Sequence, residues 1–226
     1  MNIWKLKKNN KNFTEEVWNS KEWLNKIEKK IKNNLKSIKS KKSIKINTFC
    51  AESPLPLMLL NVNKKIKILD FGAGSLEMPF KMAFDTIINS NIQIDIIESK
   101  KLINFYKIAF RKIKLPKNIK INFIDKINFK NKYDIFHLSD SFQYVENWQQ
   151  FIKNMKKNSP NLIIFNNLTA GENPNYLALQ KFYEYQIPYR FYNIKEIVSE
   201  MKPFKLVYKS KFLNKISNKY SEYPQK

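Results

Sequence analysis

The chain keeps three glycines in 226 residues, and two of them stand in Leu69-Asp70-Phe71-Gly72-Ala73-Gly74-Ser75. The third is Gly171. A composition that has shed glycine almost everywhere retains it where an apolar run, Ile66-Lys67-Ile68-Leu69-Asp70, gives way to a turn and then to a helical pattern. Glycine is needed where backbone must pass close to another group or adopt positive φ. A strand, a glycine turn and a helix in that order open a βαβ unit. This places a ligand or a tight packing contact just beyond the strand.

The remaining rhythm agrees with that start. Strands are expected at residues 66–70, 92–98, 119–124, 133–139 and 162–165, with helices at 75–88, 100–113 and 148–156 between them. Alternation of this kind predicts right-handed crossovers and a parallel sheet. The fold class expected is therefore α/β, Rossmann-like, with a mostly parallel central sheet flanked by helices. A helix near 193–201 and a strand near 204–212 close the pattern, and the last dozen residues read as an edge or a tail.

Before the first strand, Leu24, Ile27, Ile31, Leu35 and Ile38 recur at spacings of three and four, one apolar stripe of a helix. Thr14 followed by Glu15 and Glu16 reads as its start. Such a helix packs on the domain, although a lid or a dimer helix would carry the same stripe. A lysine-rich loop over 37–45 and a short helix at 54–60 follow. The domain division expected is an N-terminal helical extension over 1–50 and a Rossmann-like domain over 51–226.

Net charge is +23, which invites a nucleic-acid partner. Of the 42 basic residues, however, only Arg111 and Arg190 are arginine. Phosphate readers favour the planar arginine fork. Abundant Lys, Asn and Ile with scarce Gly also match AT-rich codons, so composition accounts for the charge without a partner. A nucleic-acid partner is possible but not favoured. The single cysteine, Cys50, permits no internal disulfide. No run approaches the ~20 apolar residues of a spanning helix, and the first ten residues lack a signal-peptide core. A cytoplasmic setting is expected, and nothing fixes the oligomeric state.

A dinucleotide fingerprint would place a third glycine at position 77, where Glu77 stands. A carboxylate beside a pyrophosphate is unfavourable, which counts against a nicotinamide cofactor. Asp70-x-Gly72-x-Gly74 instead resembles motif I of the class I methyltransferases, with Leu76 where that family often has a further glycine. The resemblance implies S-adenosylmethionine as cofactor, with Asp70, Gly72 and Gly74 at its amino-acid end. It implies Glu98 on the ribose hydroxyls and Asp125 on the adenine amine. The end of the fourth strand, with Ser139, is where donor and acceptor meet.

The segment Ser139-Asp140-Ser141-Phe142-Gln143-Tyr144-Val145-Glu146-Asn147 and the later Leu177-Ala178-Leu179-Gln180 resemble a methyltransferase family of bacterial surface-polysaccharide gene clusters. The resemblance spans roughly residues 55–212. It implies a small-molecule or glycan acceptor, for instance a nucleotide-sugar. Methyl transfer depends on proximity and orientation, and a hydroxyl acceptor benefits from a general base. Asp140 is the candidate base. His137, the sole histidine, is a second candidate, although its place inside the fourth strand favours packing or a core hydrogen bond. Gln143, Gln180, Tyr189 and Arg190 are the candidate acceptor contacts, and no Cys/His spacing suggests a metal. An RNA methyltransferase and a non-catalytic scaffold that kept the fold remain open at this point.

Overall fold

The computed structural model describes residues 4–6, 16–40, 54–59, 62, 64–85, 89–111 and 113–210. With Trp4–Leu6 as β1, the five apolar runs become β2 (Ile66–Phe71), β3 (Ile92–Ile97), β4 (Ile119–Ile124), β5 (Ile135–Ser139) and β6 (Leu162–Asn166). They pair in the order β4-β3-β2-β5-β6, every pairing parallel. Counted from β2, this is the 3-2-1-4-5 order of a Rossmann-like sheet, whose switch point lies between the first strand and the fourth, here β2 and β5.

Both faces of the sheet are covered, which is why its strands are apolar throughout rather than alternating. One face carries Ile68, Ile94 and Ile96 against Ile27 and Ile31 of α1 (Lys21–Lys39) and, beyond a short α2 (Leu55–Met58) and α3 (Glu77–Phe80), against Leu102 and Tyr106 of α4 (Lys100–Phe110). The other carries Leu69, Phe136 and Leu138 against Trp148, Ile152 and Met155 of α5 (Trp148–Asn158). One buried charge interrupts this second face. Asp95 accepts hydrogen bonds from Asn122 (2.6 Å), Gln93 (2.9 Å) and Tyr133 (3.1 Å), with the Lys67 ammonium 3.5 Å away. Burial alone would raise its pKa, but those hydrogen bonds and that cation together hold it below the ordinary value.

A second sheet was not foreseen. After β6 come β7 (Ala170–Gly171), β8 (Tyr176–Phe182), β9 (Tyr185–Asn193) and α6 (Ile194–Glu200). β8 and β9 form an antiparallel hairpin turning at Tyr183-Glu184, with β1 along β8 and β7 along β9. The aromatic residues of this stretch alternate along the strands. Tyr189 and Phe191 join Ala178, Tyr144 and Tyr176 in one apolar cluster, while Tyr192 stacks on Phe142 in the main core.

Three local expectations need correction. The helix expected over 75–88 is only α3 followed by a π-helical turn at Lys81–Asp85, with 86–88 outside the described residues. Leu76 precedes it in the left-handed region (φ 60°), so the helix cannot begin at Ser75. α1 runs to Lys39 and is capped by Ser20, whose hydroxyl accepts from Trp23 N–H at 3.3 Å. The expected Thr14 start lies outside the described residues. The strand expected at 204–212 does not form over 205–210, where Leu206, Val207 and Tyr208 are exposed with no partner strand among the described residues. Residues 211–212 fall outside the description. Among the described residues no helix is long and apolar enough to cross a membrane.

Candidate functional site

The carboxyl ends of β2, β3 and β5 bring several of the expected residues together. Gly72 N–H donates to Ile97 O at 3.1 Å, tying the turn after β2 to the end of β3. Ser141 Oγ donates to Phe71 O at 2.7 Å, tying the segment after β5 to β2. Both glycines have positive φ, 73° at Gly72 and 53° at Gly74, but for different reasons. A Cβ on Gly72 would lie 2.6 Å from the Cβ of Ser141, so this glycine is required by the closeness of two chain segments. Among the described residues, a Cβ on Gly74 would meet nothing within 4 Å. Of the two, only the second glycine faces space that the described residues leave open, where a ligand could lie against the turn.

That turn is fastened on its other side. Gly74 N–H donates to Glu98 Oε1 at 2.8 Å, and Ser99 N–H donates to Glu98 Oε2 at 3.2 Å. The buried Tyr106 hydroxyl donates to Gly74 O. From α1, Asn34 donates to Ser75 O at 3.4 Å, and Lys30 lies 3.6 Å from Glu77. Burial raises the Glu98 carboxyl to about 7, against the two backbone donors, and the nearby Asp70 charge adds to the rise.

Asp70 is 2% exposed and sits opposite His137 in the β2–β5 register. His137 Nδ1 lies 2.8 Å from Asp70 Oδ1, the protonated nitrogen donating to the carboxylate. Asp70 Oδ2 is buried and has no hydrogen-bond partner among the described residues. His137 itself is 1% exposed, inside the sheet.

A second group forms where β5 and β6 end. Asp140 follows β5 with φ 51°, and its N–H donates to Asn166 O at 3.0 Å. Although the residue stays open to solvent, the protein packed around it raises its carboxyl to about 6, offset in part by Gln143 and by the charge of Lys30. Gln143 is fully buried and donates to Asp140 Oδ1 at 2.7 Å and Asn167 O at 3.3 Å, with Tyr189 Oη at 3.4 Å. Ser139 Oγ accepts from Asn166 at 3.1 Å. Tyr144 packs edge-on to Tyr189 and donates its hydroxyl to Gln180 Oε1 at 3.1 Å, so Gln180 reaches the group through that tyrosine.

Two expected residues stand apart. Arg190 lies between Tyr189 and Phe191 in β9, so its side chain leaves from the opposite face of the strand. Asp125 is exposed beyond the end of β4. Conversely, Tyr106, Ser141, Tyr144 and Asn167 were not singled out as site residues. Asn167 had a readable signal, being an asparagine directly after a strand, where a left-handed residue (φ 54°) turns the chain. Among the described residues no cluster of His, Cys, Asp or Glu could hold a metal ion.

No protein-family model matches the chain, and no curated protein matches it. Among solved structures it is similar to the [4+2]-cyclase SpnF, at 12% identity over 78% of this chain and 68% of that one, with a TM-score of 0.45. It is similar also to an S-adenosylmethionine-dependent methyltransferase from Clostridium acetobutylicum (13%, 66% and 74%, TM-score 0.42). A third is PigF with SAH (15%, 60% and 43%, TM-score 0.37), so this chain spans less than half of PigF. At these identities no residue's role passes from those proteins to this one.

Proposed function

We propose that the chain is an S-adenosylmethionine-dependent methyltransferase acting on a small-molecule or glycan acceptor, and that the donor lies across the glycine turn at the ends of β2 and β3. The observation that carries this reading is the pairing of an orphaned, buried carboxylate oxygen, Asp70 Oδ2, with open space at Gly74. An anion with an unmet lone pair beside a bare backbone suits a ligand bearing positive charge and repels a pyrophosphate. Bound there, the cofactor would supply a methyl group on a cationic sulfur.

In this reading His137 holds Asp70 in place, and the ionised form of Glu98 accepts from the ribose hydroxyls. Asp125 is the proposed contact for the adenine amine. Gly72 keeps the β2 and β5 segments in contact and takes no direct part in binding. Ser139 and Asp140 stand at the neighbouring strand end, where the Asp140 carboxylate would receive a proton from the acceptor. The surface-polysaccharide setting remains part of the proposal and rests on the likeness of residues 139–147 and 177–180. The domain division at residue 50 is also proposed, with α1 contributing Ile27 and Ile31 to the core.

Thermal unfolding tests the reading. A ligand at a hundred times its Kd stabilises the fold by about 2.7 kcal/mol, which in a chain of this size raises Tm by roughly 5–10 °C. S-adenosylhomocysteine should produce that rise and NADH should not. A rise with NADH alone would overturn the proposal.

A further inference from the structure

The geometry points to an acceptor subsite made for an alcohol hydroxyl, between the ends of β5 and β6 under the β8–β9 hairpin, with Gln143 and Asn167 as its hydrogen-bonding side chains. It rests on the methyl-transfer reading and narrows it to oxygen as the atom methylated.

The amide orientation of Gln143 is fixed by its surroundings. Its Nε2 faces Asp140 Oδ1 and Asn167 O, and a flipped amide would set an oxygen against both. Gln143 Oε1 is thereby left buried with no partner among the described residues, in a side chain that is 0% exposed. Asn167 Nδ2 is likewise buried and unpartnered. One residue thus offers an unmet acceptor and its neighbour an unmet donor.

The backbone gives a second, independent sign. Asp140 and Asn167 each follow the end of a strand, β5 and β6, and these strands are neighbours in register at Ser139 and Asn166. Both residues are left-handed, at φ 51° and 54°. Asp and Asn tolerate this conformation, and it turns the chain sharply at both strand ends, side by side.

The chemistry selects the ligand. A hydroxyl donates and accepts through one atom, so before transfer a single alcohol oxygen satisfies both Oε1 and Nδ2. As the methyl leaves sulfur for oxygen, the proton passes to the Asp140 carboxylate beside Gln143. An ammonium donates only and leaves Asn167 unmet. A carboxylate or phosphate accepts only, and it would face Asp140, while Arg190 leaves from the far side of β9.

Saturation-transfer NMR on the full chain, with S-adenosylhomocysteine present, tests this with benzyl alcohol and benzyl methyl ether as probes. The ether accepts but cannot donate, so it leaves Gln143 Oε1 unmet. The alcohol should bind about tenfold more tightly. Asn167→Gly keeps the left-handed turn and removes the donor, and should weaken the alcohol severalfold while S-adenosylhomocysteine binding is unchanged. Equal affinity of alcohol and ether, no alcohol binding, or indifference to Asn167→Gly would each overturn the subsite and leave the donor site standing. Failure of the parent chain to bind S-adenosylhomocysteine would overturn both.

Discussion

Alanine at the two glycines of the turn should fail in opposite ways. Each substitution forces a Cβ into the left-handed region, which costs about 1–2 kcal/mol. At Gly74 that is the whole structural cost, because none of the described residues lies within 4 Å of the new atom. At Gly72 the new Cβ would lie 2.6 Å from Ser141 Cβ, and neither strand end can retreat without breaking Gly72 N–H to Ile97 O or Ser141 Oγ to Phe71 O. Overpacking adds about 1–3 kcal/mol, giving about 2–5 kcal/mol for Gly72→Ala. Urea unfolding measures both. Ser141→Gly removes the clashing atom and should recover part of the Gly72→Ala loss, so the pair should be non-additive. Gly74→Ala should lose only about 1–2 kcal/mol of stability while losing donor affinity. If Gly72→Ala costs no more than Gly74→Ala, the division of labour between the glycines is wrong.

Two further outcomes follow from Glu98 and Asp70. Donor affinity should hold steady well above pH 7 and fall by up to about tenfold per pH unit below it, because Glu98, raised to about 7 by burial, must be ionised to accept from the ribose. Glu98→Gln should flatten that profile, and a flat profile in the parent would count against Glu98 as the ribose contact. His137→Leu should destabilise the fold by about 1–3 kcal/mol by leaving the buried Asp70 side chain without its hydrogen-bond partner. A loss below 1 kcal/mol in urea melts would show that the pair does not anchor the sheet end.

The parallel sheet was legible because its strands are continuous apolar runs separated by helical periods, and such runs have few other uses. All five appear within a residue or two of their expected bounds. The glycine turn was legible for a compositional reason, since glycine is retained there and almost nowhere else. What the sequence hid is non-local. Gly72 and Gly74 look alike in the chain, and only the arrival of Ser141 from sixty-nine residues away distinguishes them. The β8–β9 hairpin was hidden because its Tyr183-Glu184 turn lacks the Asn-Gly or Gly-x signal of a tight hairpin. Arg190 was placed by its rarity, but strand alternation sets it on the face away from Tyr189 and Gln180. The closing strand at 204–212 followed apolar alternation that, over residues 205–210, finds no neighbour to pair with among the described residues.

Calorimetric titration of the full chain with S-adenosylmethionine, with NADH as the control, tests the central claim most directly. The account predicts one site of micromolar affinity for the first and no heat from the second. No binding of S-adenosylmethionine, or binding of NADH in its place, would contradict it.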